Sequence, residues 1–214
     1  MKVYIVRHGE TEWNRLKKLQ GSADNPLNAS GLREAMAASL YLKEIPFDFA
    51  YMSPLIRTKE TCRIILRDRK CGVRTLDIIT ELDYGICEGD DIGWILADEG
   101  HPVHNFFLSP GQYVPAEGGE TLGHLQERCA AFVSGNILPM EEMCRNLLVV
   151  THGAFIKGLM RYLEGRGEET FWSGRESGNC ALTKLDCTDG VLTVESEGQD
   201  IIKEVNLQEN NIYL

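Results

Sequence analysis

Positive charge is scarce in this chain. Its 214 residues carry 22 Lys and Arg against 32 Asp and Glu, a formal net charge of -10, and between Arg74 and Arg128 no Lys or Arg occurs. Nucleic acid and anionic membrane surfaces both require a basic footprint, so neither is an expected partner. Any anion the protein handles must be held in a local cationic pocket. Long apolar runs are missing too. The N-terminal run is shorter than a signal-peptide core or a membrane span, and it stops at Arg7 and His8. The expectation is a soluble, cytoplasmic protein whose partner is a small molecule. Seven cysteines with no Cys-x-x-Cys pair suit free thiols in a reducing compartment. None has Arg six residues on, so the cysteine-phosphatase loop is missing. The G-x-x-x-x-G-K-[ST] loop, the G-x-S-x-G elbow and H-E-x-x-H are missing as well, which removes nucleotide-driven, serine-hydrolase and zincin chemistry.

What is present is an ordinary globular composition, 43% hydrophobic and 25% charged, enough to build a core and too apolar for disorder. The length suits one domain over residues 1–214. Val3-Tyr4-Ile5-Val6, an unbroken β-branched and aromatic run, predicts a buried central parallel strand. It leads directly into Arg7-His8-Gly9-Glu10-Thr11-Glu12-Trp13-Asn14. Ligands of open α/β sheets bind beyond the carboxyl ends of the strands, so Arg7 and His8 are placed where a small anion can reach them.

Further along, residues 30–43 have helical spacing up to Pro46, and Phe47 to Met52 predicts a second buried strand. Ser53-Pro54 predicts a helix start carrying Arg57 close to that strand's end. Val73 to Leu76 suits a short strand, and a glycine-punctuated loop follows with Glu81 and Glu88. Residues 90–119 are irregular and predict an insertion lying over the site, with His101 and His104 in a surface loop. Glu120-Thr121 opens a helix predicted to run as far as Ile137. Leu147 to Val150 is a second unbroken apolar run ending in a histidine, Thr151-His152-Gly153, with a helix immediately after. Asp189-Gly190 between two alternating runs predicts a terminal hairpin.

Two strands each bring a histidine and a glycine to one sheet edge that two arginines can reach. An imidazole nucleophile with arginines neutralising phosphoryl oxygens is a complete set for phosphoryl transfer without a metal. Arg7-His8-Gly9-Glu10-Thr11, Trp13-Asn14, Ser53-Pro54-Leu55-x-Arg57-x-x-x-Thr61, Glu81, Glu88-Gly89, Gly118-Gly119-Glu120-Thr121 and Thr151-His152-Gly153 together resemble the histidine phosphatase (phosphoglycerate mutase-like) superfamily, in the right order over nearly the whole chain. The resemblance implies an α/β three-layer sandwich, a mostly parallel sheet flanked by helices. It also implies a phosphohistidine on His8 and no cofactor or metal. Arg7, Arg57 and His152 would bind phosphoryl oxygens, Asn14 would donate to one of them, and the helix start at Gly153 would add partial positive charge. Glu81 would protonate the leaving alkoxide and then activate water, a task for which Asp83 and Glu88 are alternatives.

The superfamily contains both phosphatases and mutases. A mutase must hold a second phosphate and needs extra cations in the insertion. Residues 75–127 have none, and instead carry eleven Asp or Glu. The expectation is a phosphatase; a cofactor-dependent phosphoglycerate mutase and a catalytically silent phosphate-binding protein are the alternatives. With Trp94, Phe106, Phe107, Tyr113 and carboxylates such as Asp98, Glu99 and Glu117 as walls, and with Arg15, Lys17 and Lys18 pointing to solvent, the pocket should prefer a monoester with a neutral, aromatic or cationic body. Among substrates of related enzymes α-ribazole 5'-phosphate fits that description.

Overall fold

The computed structural model describes residues 1–175 and 177–205. A six-stranded sheet organises them, with strands β1 (Lys2–Arg7), β2 (Phe49–Met52), β3 (Gly72–Thr75), β4 (Asn146–Thr151), β5 (Leu182–Thr188) and β6 (Val191–Gln199) in the order β3-β2-β4-β1-β5-β6. The first four run parallel; β5 and β6 are antiparallel and form the expected hairpin. The N-terminal apolar run is central, as its lack of polar residues requires, with β4 on one side and β5 on the other.

Alternation along the strands separates two cores. Val3 and Ile5 of β1 and Leu147 and Val149 of β4 face α6 (Leu122–Phe132) and α7 (Gly153–Leu163). Val6, Leu148 and Val150 face α2 (Ala29–Tyr41) and α3 (Ile56–Leu66). Helices therefore cover both faces, the three-layer arrangement that buried parallel strands need. No helix among the described residues is long and apolar enough to cross a membrane, and all seven cysteines are free, six of them buried.

Three local expectations change. Ser53 is not a helix cap: Ser53-Pro54 is a turn and α3 begins at Ile56, so Ser53 stays with the end of β2. The helix opened at Thr121 leaves α geometry after Phe132, passing through a π-helical segment, Val133–Ile137, into a 3-10 turn at Pro139. The insertion contains α4 (Ile92–Ala97) and α5 (His104–Leu108), but His101 is buried, not in a surface loop. Its Nδ1 accepts from Val103 N–H at 3.1 Å, which puts the ring proton on Nε2, facing Asp90 at 3.2 Å. Cys87, Asp90 and His101 have ligand atoms within 4.8 Å of one another. A cation on Nε2 would force the ring proton onto Nδ1, against Val103 N–H, so the group reads as a clasp between the two ends of the α4 segment.

Candidate active site

Parallel pairing sets the site. Arg7 on β1 is in register with Thr151 on β4, and Met52 on β2 with Val150. The next residues, His8, His152 and Ser53, therefore emerge from three adjacent strand ends. His8 N–H donates to Thr151 C=O at 3.0 Å and Ser53 N–H to Val150 C=O at 3.1 Å, which extends the sheet one step into the site. Gly9 allows the next approach: a Cβ there would lie 2.5 Å from the Gly31 carbonyl oxygen. Any side chain would push α2 off the loop.

The His8 and His152 rings lie 5.3 Å apart at 62°. His8 Nδ1 sits 2.7 Å from the Gly9 carbonyl oxygen and must donate to it, which leaves the Nε2 lone pair bare. Burial, then the charges of Arg57 and Arg7, hold the His8 pKa well below the usual imidazole value. His152 is lowered in the same direction by burial, Arg57, His8 and Arg7. Both rings are neutral near pH 7, so the site's positive charge comes from Arg7 and Arg57 and not from imidazolium.

Arg57 is wholly buried, and burial brings its pKa down to about 10. Its Nη1 and Nη2 donate to the carbonyls of Ala23 and Gly21 at 2.6 and 2.7 Å, while Nε has no partner. Arg7 is held similarly, Nη1 on the Ser177 carbonyl at 2.6 Å and Nε unpartnered. A guanidinium has five donors, so both keep N–H groups for an incoming anion. Asn14 Oδ1 accepts from Thr11 N–H at 3.1 Å as part of the capping box of α1 (Glu12–Arg15), and this orientation leaves its amide NH2 as the free end.

Glu81 is buried and its carboxylate accepts three backbone N–H groups: Leu82 at 3.0, Ala154 at 3.1 and Phe155 at 3.0 Å. Burial pushes its pKa up, against the pull of those N–H groups and the two arginines. Two of the first N–H groups of α7 are thus taken by Glu81, and Gly153 N–H is left for a ligand. Arg128 clamps this loop by donating to the carbonyls of Ile78 and Thr80 at 2.8 and 3.0 Å. Glu88 is differently engaged. Its carboxylate accepts Ser22 N–H at 2.6 Å and Ala23 N–H at 2.7 Å, so it ties down the loop whose carbonyls hold Arg57. Asp83 accepts Gly85 N–H at 2.8 Å. Of the three carboxylates named from sequence, Glu81 lines the cavity shared with Arg7.

That cavity, about 460 Å³, is lined by Arg7, Asn14, Glu81 and Gly153 together with Lys18, Tyr84, Phe107, Trp172 and Ser177. The expected walls need correction. Phe107 is there, but Phe106 is fully buried, Trp94 is exposed and packs edge-on against His101, and Tyr113 leans on Phe106. Asp98, Glu99 and Glu117 do not line it, whereas Lys18, expected in solvent, does. Arg15 pairs with Glu12 as a solvent-facing residue should. Trp172 and Ser177 come from the loop after α7, where sequence offers no periodicity to follow. Lys157, buried on α7, carries that loop by donating to the carbonyls of Ser173 and Arg175 at 3.0 and 2.6 Å while pairing with Glu197 at 2.7 Å. Trp172 Nε1–H reaches the Phe106 carbonyl at 2.6 Å, and its ring stacks beside Phe107, 5.8 Å away at 12°.

The chain is similar to known proteins over most of its length. The uncharacterized phosphatase PhoE of Bacillus subtilis is 33% identical over 169 residues, covering 78% of this chain and 79% of its own. The probable phosphoglycerate mutase GpmB of Proteus mirabilis is 31% identical over 194 residues, 87% of this chain and 85% of its own. The solved structure of Bacillus stearothermophilus YhfR superposes with a TM-score of 0.86 at 28% identity, covering 94% of this chain and 98% of that one. Residues 3–200, from the strand that delivers His8 through the hairpin behind it, match the profile of the histidine phosphatase superfamily (branch 1), and the chain belongs to that superfamily of enzymes.

Proposed function

We propose that the protein is a phosphomonoester hydrolase that needs no metal and works through a phosphohistidine on His8. The observation that carries this is the bare Nε2 of a neutral His8, its other nitrogen fixed on Gly9, beside two arginines with donors to spare. In the first half-reaction Nε2 attacks phosphorus while Arg7, Arg57, Asn14 and His152 hold the three phosphoryl oxygens. The P–O bond to the alcohol breaks, and Glu81 gives its proton to the departing oxygen. In the second, Glu81 takes a proton from water, the water oxygen attacks phosphorus, and the P–N bond breaks to release phosphate and restore His8. The two arginines supply the charge that a divalent ion supplies in other phosphoryl-transfer sites. Seven free thiols fit such an enzyme working in the cytoplasm.

The cavity lining supports a flat substrate body, since Phe107 and Trp172 contribute parallel rings to it. α-Ribazole 5'-phosphate is the substrate we propose on that basis. A second reading is favoured by Lys18, a cation where none was expected, and by the kinship with GpmB: a second anion on the body, as phosphoglycerate mutase chemistry requires. One measurement tests the phosphohistidine that both readings share, and a second separates them. An alkaline detergent quench after mixing with labelled p-nitrophenyl phosphate should trap acid-labile, alkali-stable phosphate on His8 and none on His8→Ala; label at another residue would end the proposal. Comparing kcat/KM for α-ribazole 5'-phosphate, 3-phosphoglycerate and fructose 1,6-bisphosphate should then favour the first. Preference for an acidic substrate, or mutase turnover with 2,3-bisphosphoglycerate, would give the second reading the field.

A further inference from the structure

The phosphoryl-transfer reading leaves Ser53 without a task. It is fully buried at the end of β2, and its Oγ lies 2.8 Å from Nε2 of the equally buried His152. On its other side Oγ receives Leu55 N–H at 3.5 Å. Among the described residues the Ser53 hydroxyl proton has no acceptor other than His152 Nε2, while His152 Nδ1 is buried with no partner at all.

These facts fix a proton. If His152 carried its hydrogen on Nε2, that N–H would point at Ser53 Oγ, the buried hydroxyl proton would be orphaned, and Nδ1, which no protein group among the described residues meets, would offer a lone pair to any phosphoryl oxygen that it faces. If the hydroxyl donates to Nε2 instead, both buried protons are used and Nδ1–H becomes a donor on the ring edge left free. The second arrangement avoids an unmet buried donor and a lone-pair repulsion together. Building on the phosphohistidine reading, we infer that Ser53 is a positioning residue: it fixes His152 as the Nδ1–H tautomer, so that a neutral imidazole donates to the phosphoryl group being transferred. Neutrality is part of the device. A neutral histidine has one proton to place, and without Ser53 nothing in the site decides which nitrogen holds it.

The test reads the tautomer itself. Long-range ¹H–¹⁵N correlation on the full-length ¹⁵N-labelled protein, with the His152 pattern assigned by its loss in His152→Gln, should show a protonated Nδ1 and a bare Nε2. Inorganic phosphate or orthovanadate should move the Nδ1 proton downfield. In Ser53→Ala the two tautomers should mix, vanadate inhibition should weaken, and kcat should fall roughly tenfold to a hundredfold, short of the full loss of a preorganised donor. KM should change much less. Ser53→Thr, which keeps a hydroxyl, should recover most of kcat and the single tautomer, a rescue that a mere packing role would not give. A protonated Nε2 in the unsubstituted protein overturns the inference, as does a Ser53→Ala protein with the original tautomer and kcat. If Ser53→Ala does not fold, the unsubstituted spectrum still decides. Should the protein prove to turn over no phosphomonoester, the hydrolase reading fails, while the tautomer and its response to phosphate still judge Ser53.

Discussion

Replacing Glu81 by Gln tests the part of the mechanism that differs most between substrates. The carboxylate accepts three N–H groups, Leu82, Ala154 and Phe155. A glutamine carbonyl oxygen can keep some of them, but its NH2 group would face at least one donor. An unmet buried hydrogen bond of this kind costs about 1–3 kcal/mol. Against this stands a saving: burial raises the Glu81 pKa, so ionising it in the folded protein is unfavourable above its ordinary pKa of 4.5, and a neutral side chain removes that penalty. The variant should therefore fold, with its melting temperature as the control. The kinetic loss is of another size. General acid catalysis is worth about 10²–10⁴-fold, or roughly 3–5 kcal/mol of barrier, yet only where the leaving group needs a proton. β-Glycerophosphate, an alkoxide donor, should lose that amount in kcat/KM, whereas p-nitrophenolate departs unprotonated and should lose less than about tenfold. kcat/KM is the proper quantity, because it ends at formation of the phosphohistidine and excludes Glu81's later work on water. Equal losses on both substrates would refute the assignment. Since Glu88 is occupied with the Ser22 and Ala23 amides, Asp83 would then be the carboxylate to examine.

The same groups set a pH dependence. His8 must be neutral and its pKa is lowered, so the acid limb of kcat/KM should lie below the ordinary imidazole value of 6.5; Glu81 must be protonated and its pKa is raised, so an alkaline limb should begin above 4.5 and vanish in Glu81→Gln. Titration of the substrate's own phosphate cancels in the ratio of the two profiles, and a ratio flat across pH would contradict the roles given. Activity should survive EDTA; loss restored by a divalent ion would mean that the arginines do not suffice. Lys18→Ala should leave kcat/KM for neutral-bodied monoesters within a few-fold and cut that for 3-phosphoglycerate, whereas equal effects would show that Lys18 meets no second anion.

The sequence made the strand ends legible because the physical signals there are strong and local. An unbroken apolar run cannot be anything but buried, and each of the two that deliver histidines stops at the sheet edge where the parallel register brings them together. Arg57 was readable for the same reason, being the second residue of the helix that follows β2. Ser53 was misread because serine before proline fits a helix cap as well as a strand end, and only its pairing with Val150 distinguishes the two. His101 was misread because its partners, Asp90 and the Val103 amide, come together only through the fold of the α4 segment.

The substrate end of the cavity was least legible, and the reason bears on how this site achieves selectivity. The phosphoryl site is built from backbone-anchored groups at the ends of three adjacent strands, β2, β4 and β1. The rest of the lining comes from three segments with no pattern in common: Lys18 beside the first motif, Phe107 in the insertion, and Trp172 beyond α7. Counting charges in the insertion gave a cation-free wall, since Lys18 lies outside that stretch and reaches it through pairing with Asp91. The Trp172 loop in turn hangs on Lys157, Glu197 and the Phe106 carbonyl, contacts separated from it by up to 66 residues. Ser177 joins the two parts, since its carbonyl holds Arg7, but Phe107 and Trp172 hydrogen-bond to none of the groups that fix His8, Arg7 or Arg57, so the ring-lined wall can change while the chemistry stays constant. Changes at Phe107 or Trp172 should therefore alter KM among monoesters and leave the trapping of phosphate on His8 intact.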